Sequence, residues 1–330
     1  MLRTQSPPYA IQIELSEGCN LYCEFCGLRG IREEKVKNYK SMSPDTMASL
    51  AEQIGKARWN ARLELAMHGE PTMHPQFIEM VSILRKHLPR NQIMMTSNGG
   101  GLLMHGGPPV TIPGLYQAGL NILALDDYQS AKIVPKIREK LPAVLERMVE
   151  LGLKLPVYEY PGDGLGNPHR RVDVRERMLT IMRDISIATK GTHSSLNNHC
   201  GAAAPLNDRA AGKRCAKPFR EMSVRWDGRV ALCCNDWRGV YKCGNIMTDG
   251  LIAIWSNAAM DAARRHLIKG ERVFSPCKGC DAISYRVGLL PDPLGKEKMP
   301  EMDNAARAAM TSALSGAPYS APVKREWENA

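Results

Sequence analysis

Two textures alternate along the first half of the chain. Short β-branched or apolar runs, Ala10 to Leu15, Arg62 to Met67, Gln92 to Thr96, Asn121 to Leu125, Lys154 to Tyr158 and Asp184 to Ala188, are separated by longer amphipathic stretches such as Ser43 to Ala57 and Pro75 to Leu88. Apolar runs of strand length divided by segments of helical period predict parallel strands joined by crossover helices. Ser43 followed by Pro44 is a helix start, a capping hydroxyl before a residue whose φ is already helical. The fold class is therefore α/β, with six β/α units closing part of a barrel. In such a barrel the chemistry belongs on the loops after the strands.

From about residue 213 the texture changes. Met222 to Leu232 reads as a hairpin around Asp227-Gly228, and Leu251 to Ile268 as one amphipathic helix. Beyond Leu290 the chain is rich in Ala, Pro and Met, with one short helix predicted over Asp303 to Leu314. The expected organisation is a core barrel over 1–205, a smaller domain over 206–290 and an extension over 291–330. At 330 residues, with 44% hydrophobic and 24% charged residues, the chain can bury a large core, which excludes wholesale disorder. No apolar stretch approaches the ~20 residues a bilayer crossing needs, and the first residues lack a secretory apolar segment. The expectation is a cytoplasmic protein with no membrane partner.

Ten cysteines are many for a reducing compartment, where clustered thiols hold metal or iron-sulfur centres more often than disulfides. Directly after the first strand stands Cys19-Asn20-Leu21-Tyr22-Cys23-Glu24-Phe25-Cys26. Three thiolates in one loop leave an open coordination position, which separates a reactive centre from a closed structural one; a zinc knuckle with a remote fourth ligand is the bland alternative. The C-x3-C-x2-C spacing, with Phe25 before the last cysteine, resembles the signature of the radical S-adenosylmethionine (SAM) superfamily. His68-Gly69-Glu70-Pro71 looks like that family's Gly-Gly-Glu-Pro segment, Ser97-Asn98-Gly99 like its Thr-Asn-Gly segment, and Asp126 stands where an acidic residue lies near the ribose. The resemblance implies a TIM-like partial (β/α)6 barrel. It also implies a four-iron (4Fe-4S) cluster on Cys19, Cys23 and Cys26, with SAM held by Phe25, Gly69, Glu70, Asn98 and Asp126. Such enzymes cleave SAM reductively to a 5'-deoxyadenosyl radical that abstracts a substrate hydrogen, drawing electrons from a flavodoxin or ferredoxin.

Cys215, Cys233, Cys277 and Cys280 make a second set, C-x17-C-x43-C-x2-C, with Gly228 five residues before Cys233. Four thiolates could saturate a second 4Fe-4S cluster or hold zinc as in a ribbon. The opening resembles the SPASM domain of peptide-maturing radical SAM enzymes, in the shortened form called a twitch domain. Adjacent Cys234 could replace Cys233, since neighbours on a strand face opposite ways. Cys200 and Cys243 have no assigned partner; Cys200, between the two domains, is the candidate substrate-side thiol or hydrogen-atom donor.

The net charge of +10 concentrates basic residues at His169, Arg170, Arg171, Arg175 and Arg177 and at Arg209, Lys213, Arg214, Lys217, Arg220 and Arg225. A solvated basic face is the bland reading. Placed at a substrate channel, these residues would suit DNA, whose phosphates are bound by Lys and Arg. The favoured substrate is accordingly a modified DNA base, by similarity to phage thymidine-hypermodification isomerases that rearrange an N-linked glycine to a C-linked one. A SPASM-type peptide maturase and a twitch-type dehydrogenase of a small alcohol or aminocyclitol are the alternatives.

Overall fold

The chain's first strand, β1 (Ala10–Ile13), is buried on both faces and forms the middle of a nine-stranded sheet. The computed structural model describes residues 6–23, 25–31, 39–128, 132–160, 166–182, 197–203 and 210–282. After β1 a short ribbon pairs β2 (Ser16–Glu17) with β3 (Lys40–Ser41). Helix α1 (Pro44–Lys56) then begins where Ser43 accepts a hydrogen bond from the Thr46 amide at 3.1 Å. Its buried residues Met47, Leu50, Ala51 and Ile54 fall at i, i+3, i+4 and i+7, one stripe of a helix. The same spacing recurs in α2 (Phe77–His87) at Phe77, Met80, Val81 and Leu84, and the two helices pack together. Strands β4 (Arg62–Leu65), β5 (Ile93–Ser97) and β6 (Ile122–Asp126) alternate with α2, α3 (Pro108–Gln117) and α4 (Ile133–Glu150).

The last two barrel strands depart from simple chain order. β8 (Met178–Met182) pairs in parallel with β6 on one side and β7 (Val157–Tyr160) on the other, so β7 is the sheet's edge. The strand predicted over Asp184 to Ala188 and the helix predicted over Asp303 to Leu314 lie outside the described residues; β8 is an unpredicted strand. The physical reason is that β8 contributes Leu179 and Ile181 to one apolar cluster and Met178 to another. A strand buried on both faces carries no polar-apolar alternation to reveal it.

The hairpin expected in the smaller domain forms as β9 (Glu221–Val224) and β10 (Arg229–Ala231), led by the short helix α5 (Lys217–Arg220). It continues the barrel's sheet, because β9 pairs in parallel with β1 in the register Ala10↔Glu221 through Ile13↔Val224. A last strand, β11 (Gly244–Asn245), closes that edge. The single helix predicted over Leu251 to Ile268 is two, α6 (Leu251–Trp255) and α7 (Ala258–Ile268). Asn257 breaks the run by capping α7, accepting from the Met260 amide at 2.9 Å.

The two faces of the sheet differ. Ile11, Ile13, Leu63, Leu65, Ile93, Met95, Leu123 and Leu125 join the helices in the main core. The alternate positions point into the barrel interior: they are polar on β1, β4 and β9, at Gln12, Arg62, Glu64, Glu221 and Ser223, and apolar on β5, β6 and β8 at Met94, Ile122, Ala124 and Met178, which form a second cluster. On the polar side Glu64 accepts from Gln12 Nε2 (3.1 Å) and Arg62 Nε (2.7 Å), and Ser223 Oγ donates to Gln12 Oε1 at 3.4 Å. Burying such groups costs free energy even when they are paired.

Candidate active site

The predicted site residues fall on loops after β1, β4, β5 and β6, at the C-terminal end of the parallel strands. The loop after β4 is pressed against the one after β1. Gly69, at φ +73°, would place a Cβ 2.2 Å from the Ser16 carbonyl oxygen and 2.4 Å from that of Gly18, and the Glu70 amide donates to the Gly18 carbonyl at 2.8 Å. A side chain at 69 would push on the backbone that delivers Cys19. Glu70 is buried, and its carboxylate accepts from the Thr72 amide (2.9 Å), Thr72 Oγ1 (2.6 Å), Ser97 Oγ (2.5 Å) and the Asn98 amide (2.7 Å). It thereby pins its own loop to the end of β5 and the loop that follows; burial raises its pKa, against these donors. Asn98 Nδ2 donates to Cys19 Sγ at 3.3 Å and to Asn20 Oδ1 at 3.0 Å.

Cys19 lies close enough to Cys26 and Cys23 for their charges to raise its pKa, after the larger effects of burial and of Glu70. A thiol raised in this way gives up its proton when a cationic centre takes up the charge, and three neighbouring cysteines are a donor set that suits an iron cluster. Phe25 packs on Tyr128 with ring centroids 5.7 Å apart, and Tyr128 Oη donates to Asp126 Oδ2 at 3.3 Å. Burial pushes the Asp126 carboxyl up to about 7. One set of contacts thus joins Gly69, Glu70, Asn98 and Cys19, and a second joins Phe25, next to Cys26 in the chain, to Tyr128 and Asp126.

A second set gathers beyond β10. Burial and then the charges of Cys233, Cys215 and Cys280 raise Cys277, which places those four together. Cys233 faces this group. Cys234 points instead into the barrel interior, where Lys217 Nζ lies 3.3 Å from its sulfur and 3.1 Å from Glu221 Oε2. Cys200, expected on the substrate side, faces the second set: its thiol lies next to those of Cys233 and Cys280, and its proximity brings Cys280 down to about 6. Cys243 is a buried thiol of the main core, pushed up to about 12 by burial.

Sequence reasoning missed Tyr128 and Trp237. Tyr128 follows Asp126 by two residues, the spacing at which strand neighbours share a face, and that was its one signal. Trp237 stands between the two cysteine sets. Its ring lies 4.5 Å from that of His68 and 5.2 Å from that of His199, and a Cβ on Gly27 would fall 2.6 Å from it. His68 also bonds Glu14 Oε1 and the Cys234 carbonyl, both at 2.9 Å.

Most of the basic residues expected along a substrate channel are elsewhere, Lys217 beside Cys234 being the exception. The guanidinium carbons of Arg62, Arg171 and Arg220 lie 5.7, 4.6 and 5.4 Å from the centroid of Tyr9, at the N-terminal end of the strands. Arg170 sits in the same region, 3.6 Å from Glu176. Arg225 is paired with Glu14 and Glu17, and Lys217 with Glu221. Lys213, Arg214 and Arg175 are exposed, and Arg209 lies outside the described residues.

Residues 13–126 match the family model of the radical SAM superfamily, and residues 215–281 match the SPASM iron-sulfur cluster-binding domain. The chain carries a radical SAM domain followed by a SPASM domain. It is 21% identical over 279 residues to S-adenosyl-L-methionine-dependent 2-deoxy-scyllo-inosamine dehydrogenase of Niallia circulans, spanning 84% of this chain and 94% of the relative. Over 139 residues it is 28% identical to GTP 3',8-cyclase 2 of Mycobacterium tuberculosis, 41% of this chain and 36% of that one. The radical SAM fold is shared with the crystal structure of BtrN in complex with AdoMet and 2-DOIA, at TM-score 0.60 and 19% identity over 84% of this chain and 94% of that one. An open conformation of BtrN gives 0.55 at 16% identity over the same shares.

A radical SAM domain carries a 4Fe-4S cluster and SAM, and a SPASM domain carries auxiliary iron-sulfur. The two thiol sets provide soft donors for both. Among the described residues no helix is long and apolar enough to cross a membrane.

Proposed function

We propose that this radical SAM enzyme oxidises a small polar substrate held in the barrel interior, with the auxiliary centre accepting the second electron. The observation that carries this reading is the lining of the interior. Gln12, Glu64, Ser223 and Glu221 are buried there, with Lys217 half-buried against Glu221, at a free-energy cost that polar substrate groups would turn to use. Similarity over nearly the whole length of an aminocyclitol dehydrogenase supports the same class.

In this reading Cys19, Cys23 and Cys26 hold the first cluster. Gly69, Glu70, Asn98, Phe25 and Asp126 form the SAM shell, and Cys215, Cys233, Cys277 and Cys280 hold the auxiliary cluster. When bound, the first cluster and SAM supply the carbon-centred radical that removes a hydrogen atom. The chain's own part is positional: Glu70 fixes the loops that carry Ser97 and Asn98, Asn98 orients Cys19, and Tyr128 holds the Asp126 carboxyl. A flavodoxin or ferredoxin in the reducing cytoplasm is the fitting electron donor.

The net charge of +10 favours a second reading, rearrangement of an aminoacyl group on a thymine in DNA. One experiment separates them. Anaerobically reconstituted protein is given SAM and a reductant with either an aminocyclitol panel or glycine-bearing thymine in duplex DNA, and 5'-deoxyadenosine is measured with the oxidation state of the auxiliary centre by EPR. Stimulation by the small polyols with a reduced auxiliary centre supports oxidation. Stimulation by the DNA, with the centre unchanged and affinity falling steeply with salt, supports rearrangement and overturns it.

A further inference from the structure

Cys200 gives the auxiliary site one thiol more than a four-iron centre needs. Its surroundings hold it there. Asn198 and Asp281 bond reciprocally, the Asn198 amide to Asp281 Oδ1 at 2.7 Å and the Asp281 amide to Asn198 Oδ1 at 3.2 Å, while Asn198 Nδ2 donates to the Gly279 carbonyl at 2.8 Å. These bonds clamp the short turn His199–Gly201 onto the turn Cys277–Gly279, beside the two proposed ligands Cys277 and Cys280. Within the clamped turn His199 and Cys200 both adopt left-handed backbone, at φ +47° and +54°, a conformation that side chains disfavour and that the clamp must hold. The clamp brings the Cys200 carbonyl oxygen to 3.9 Å from the point where a Cβ on Gly279 would stand, and leaves its thiol beside those of Cys280 and Cys233.

We propose that Cys200 is not a ligand but a supporting thiol that donates its S–H to the ligating sulfurs of Cys233 and Cys280 and so raises the reduction potential of the auxiliary centre. Hydrogen bonds to cluster sulfurs stabilise the more negative, reduced state, and potential follows them. For an oxidising enzyme the effect is useful, since the centre must accept an electron from a substrate radical. The inference rests on the assignment of Cys215, Cys233, Cys277 and Cys280 to an iron-sulfur cluster.

The test uses the full chain with Cys19, Cys23 and Cys26 all replaced by Ala, so that only the auxiliary centre can form. Iron and sulfide per chain, the midpoint in an EPR-monitored reductive titration, and the exchangeable-proton coupling of the reduced centre are compared for Cys200, C200A and C200S. The expected result is unchanged iron in both variants. The midpoint of C200A shifts to more negative potential with loss of an exchangeable proton coupling, and C200S lies nearer the parent because its hydroxyl still donates. Loss of cluster iron in both variants makes Cys200 a ligand and overturns the proposal. Full iron with an unmoved midpoint and proton coupling reduces the thiol to packing and also overturns it. A parent that binds no iron removes the cluster assignment itself.

Discussion

Replacing Gly69 with Ala tests whether the site is built by one close backbone approach. Gly69 has φ +73°, and its added Cβ would stand 2.2 Å from the Ser16 oxygen and 2.4 Å from the Gly18 oxygen, both main-chain atoms that no side-chain rotation can move aside. Gly152 supplies an internal control: its φ is +68°, yet nothing lies within 4 Å of the point where its Cβ would stand. Gly152→Ala should therefore cost only the left-handed conformation, about 1–2 kcal/mol. Gly69→Ala should cost that plus overpacking of about 1–3 kcal/mol, a total of about 2–5 kcal/mol. Urea unfolding of the apoprotein measures both. Because relief of the clash must displace the Ser16–Gly18 backbone, and Cys19 with it, Gly69→Ala should also lower iron loading of the first site, while Gly152→Ala leaves loading intact. Equal unfolding costs for the two variants, or full loading of Gly69→Ala, would refute the reasoning.

Cys19→Ala should abolish SAM cleavage and remove one cluster's iron, whereas Cys277→Ala should remove the other cluster's iron and spare SAM binding, as iron analysis and isothermal titration with SAM would record. Lys217→Met leaves Glu221 buried without its partner and should cost about 3–5 kcal/mol in denaturant unfolding, while the double change Lys217→Met, Glu221→Gln should cost clearly less. Asp126 should make apoprotein stability depend on pH. With its folded pKa raised from 3.8 to about 7, the group stabilises the fold fully below about pH 4 and loses that contribution as pH rises through 7. The span corresponds to about 4 kcal/mol at most, and Asp126→Asn should flatten the stability profile between pH 4 and 8; an unchanged slope would show that the carboxyl titrates normally.

How far the sequence spoke depended on the kind of signal each feature carried. The strands at 10, 62, 93 and 122 were legible because their apolar runs are bounded by polar, turn-forming residues, and α1 because Ser43, Pro44 and the four-residue apolar stripe agree. The cysteine spacings carried the chemistry. The order of β7 and β8 was not legible, since chain order does not determine lateral order and β8 has no alternation. The basic residues illustrate a signal present but unused: Arg170 and Arg171 precede β8, and residues just before a parallel strand lie at the opposite end from residues just after one. Arg220 joins them only because β9 runs parallel to β1, a long-range pairing that no local pattern announces.

That same pairing governs how the two cysteine sets relate. Since β9 continues the sheet from β1, Cys19 follows one strand and Cys233 follows the hairpin begun by its neighbour. Glu14, just past β1, is hydrogen-bonded to His68 Nδ1 through one oxygen and accepts from the Trp226 amide through the other, the latter at 3.1 Å. His68 then reaches the Cys234 carbonyl, and Trp237 covers Gly27 beside Cys26. Where relatives of this family carry a glycine, His68 therefore serves as a strut between the first loop and the segment leaving β10. The spacing of the two thiol sets is thus fixed by strand register and by buried hydrogen bonds, and a change at His68 or Glu14 should disturb both sets although neither residue is a thiol.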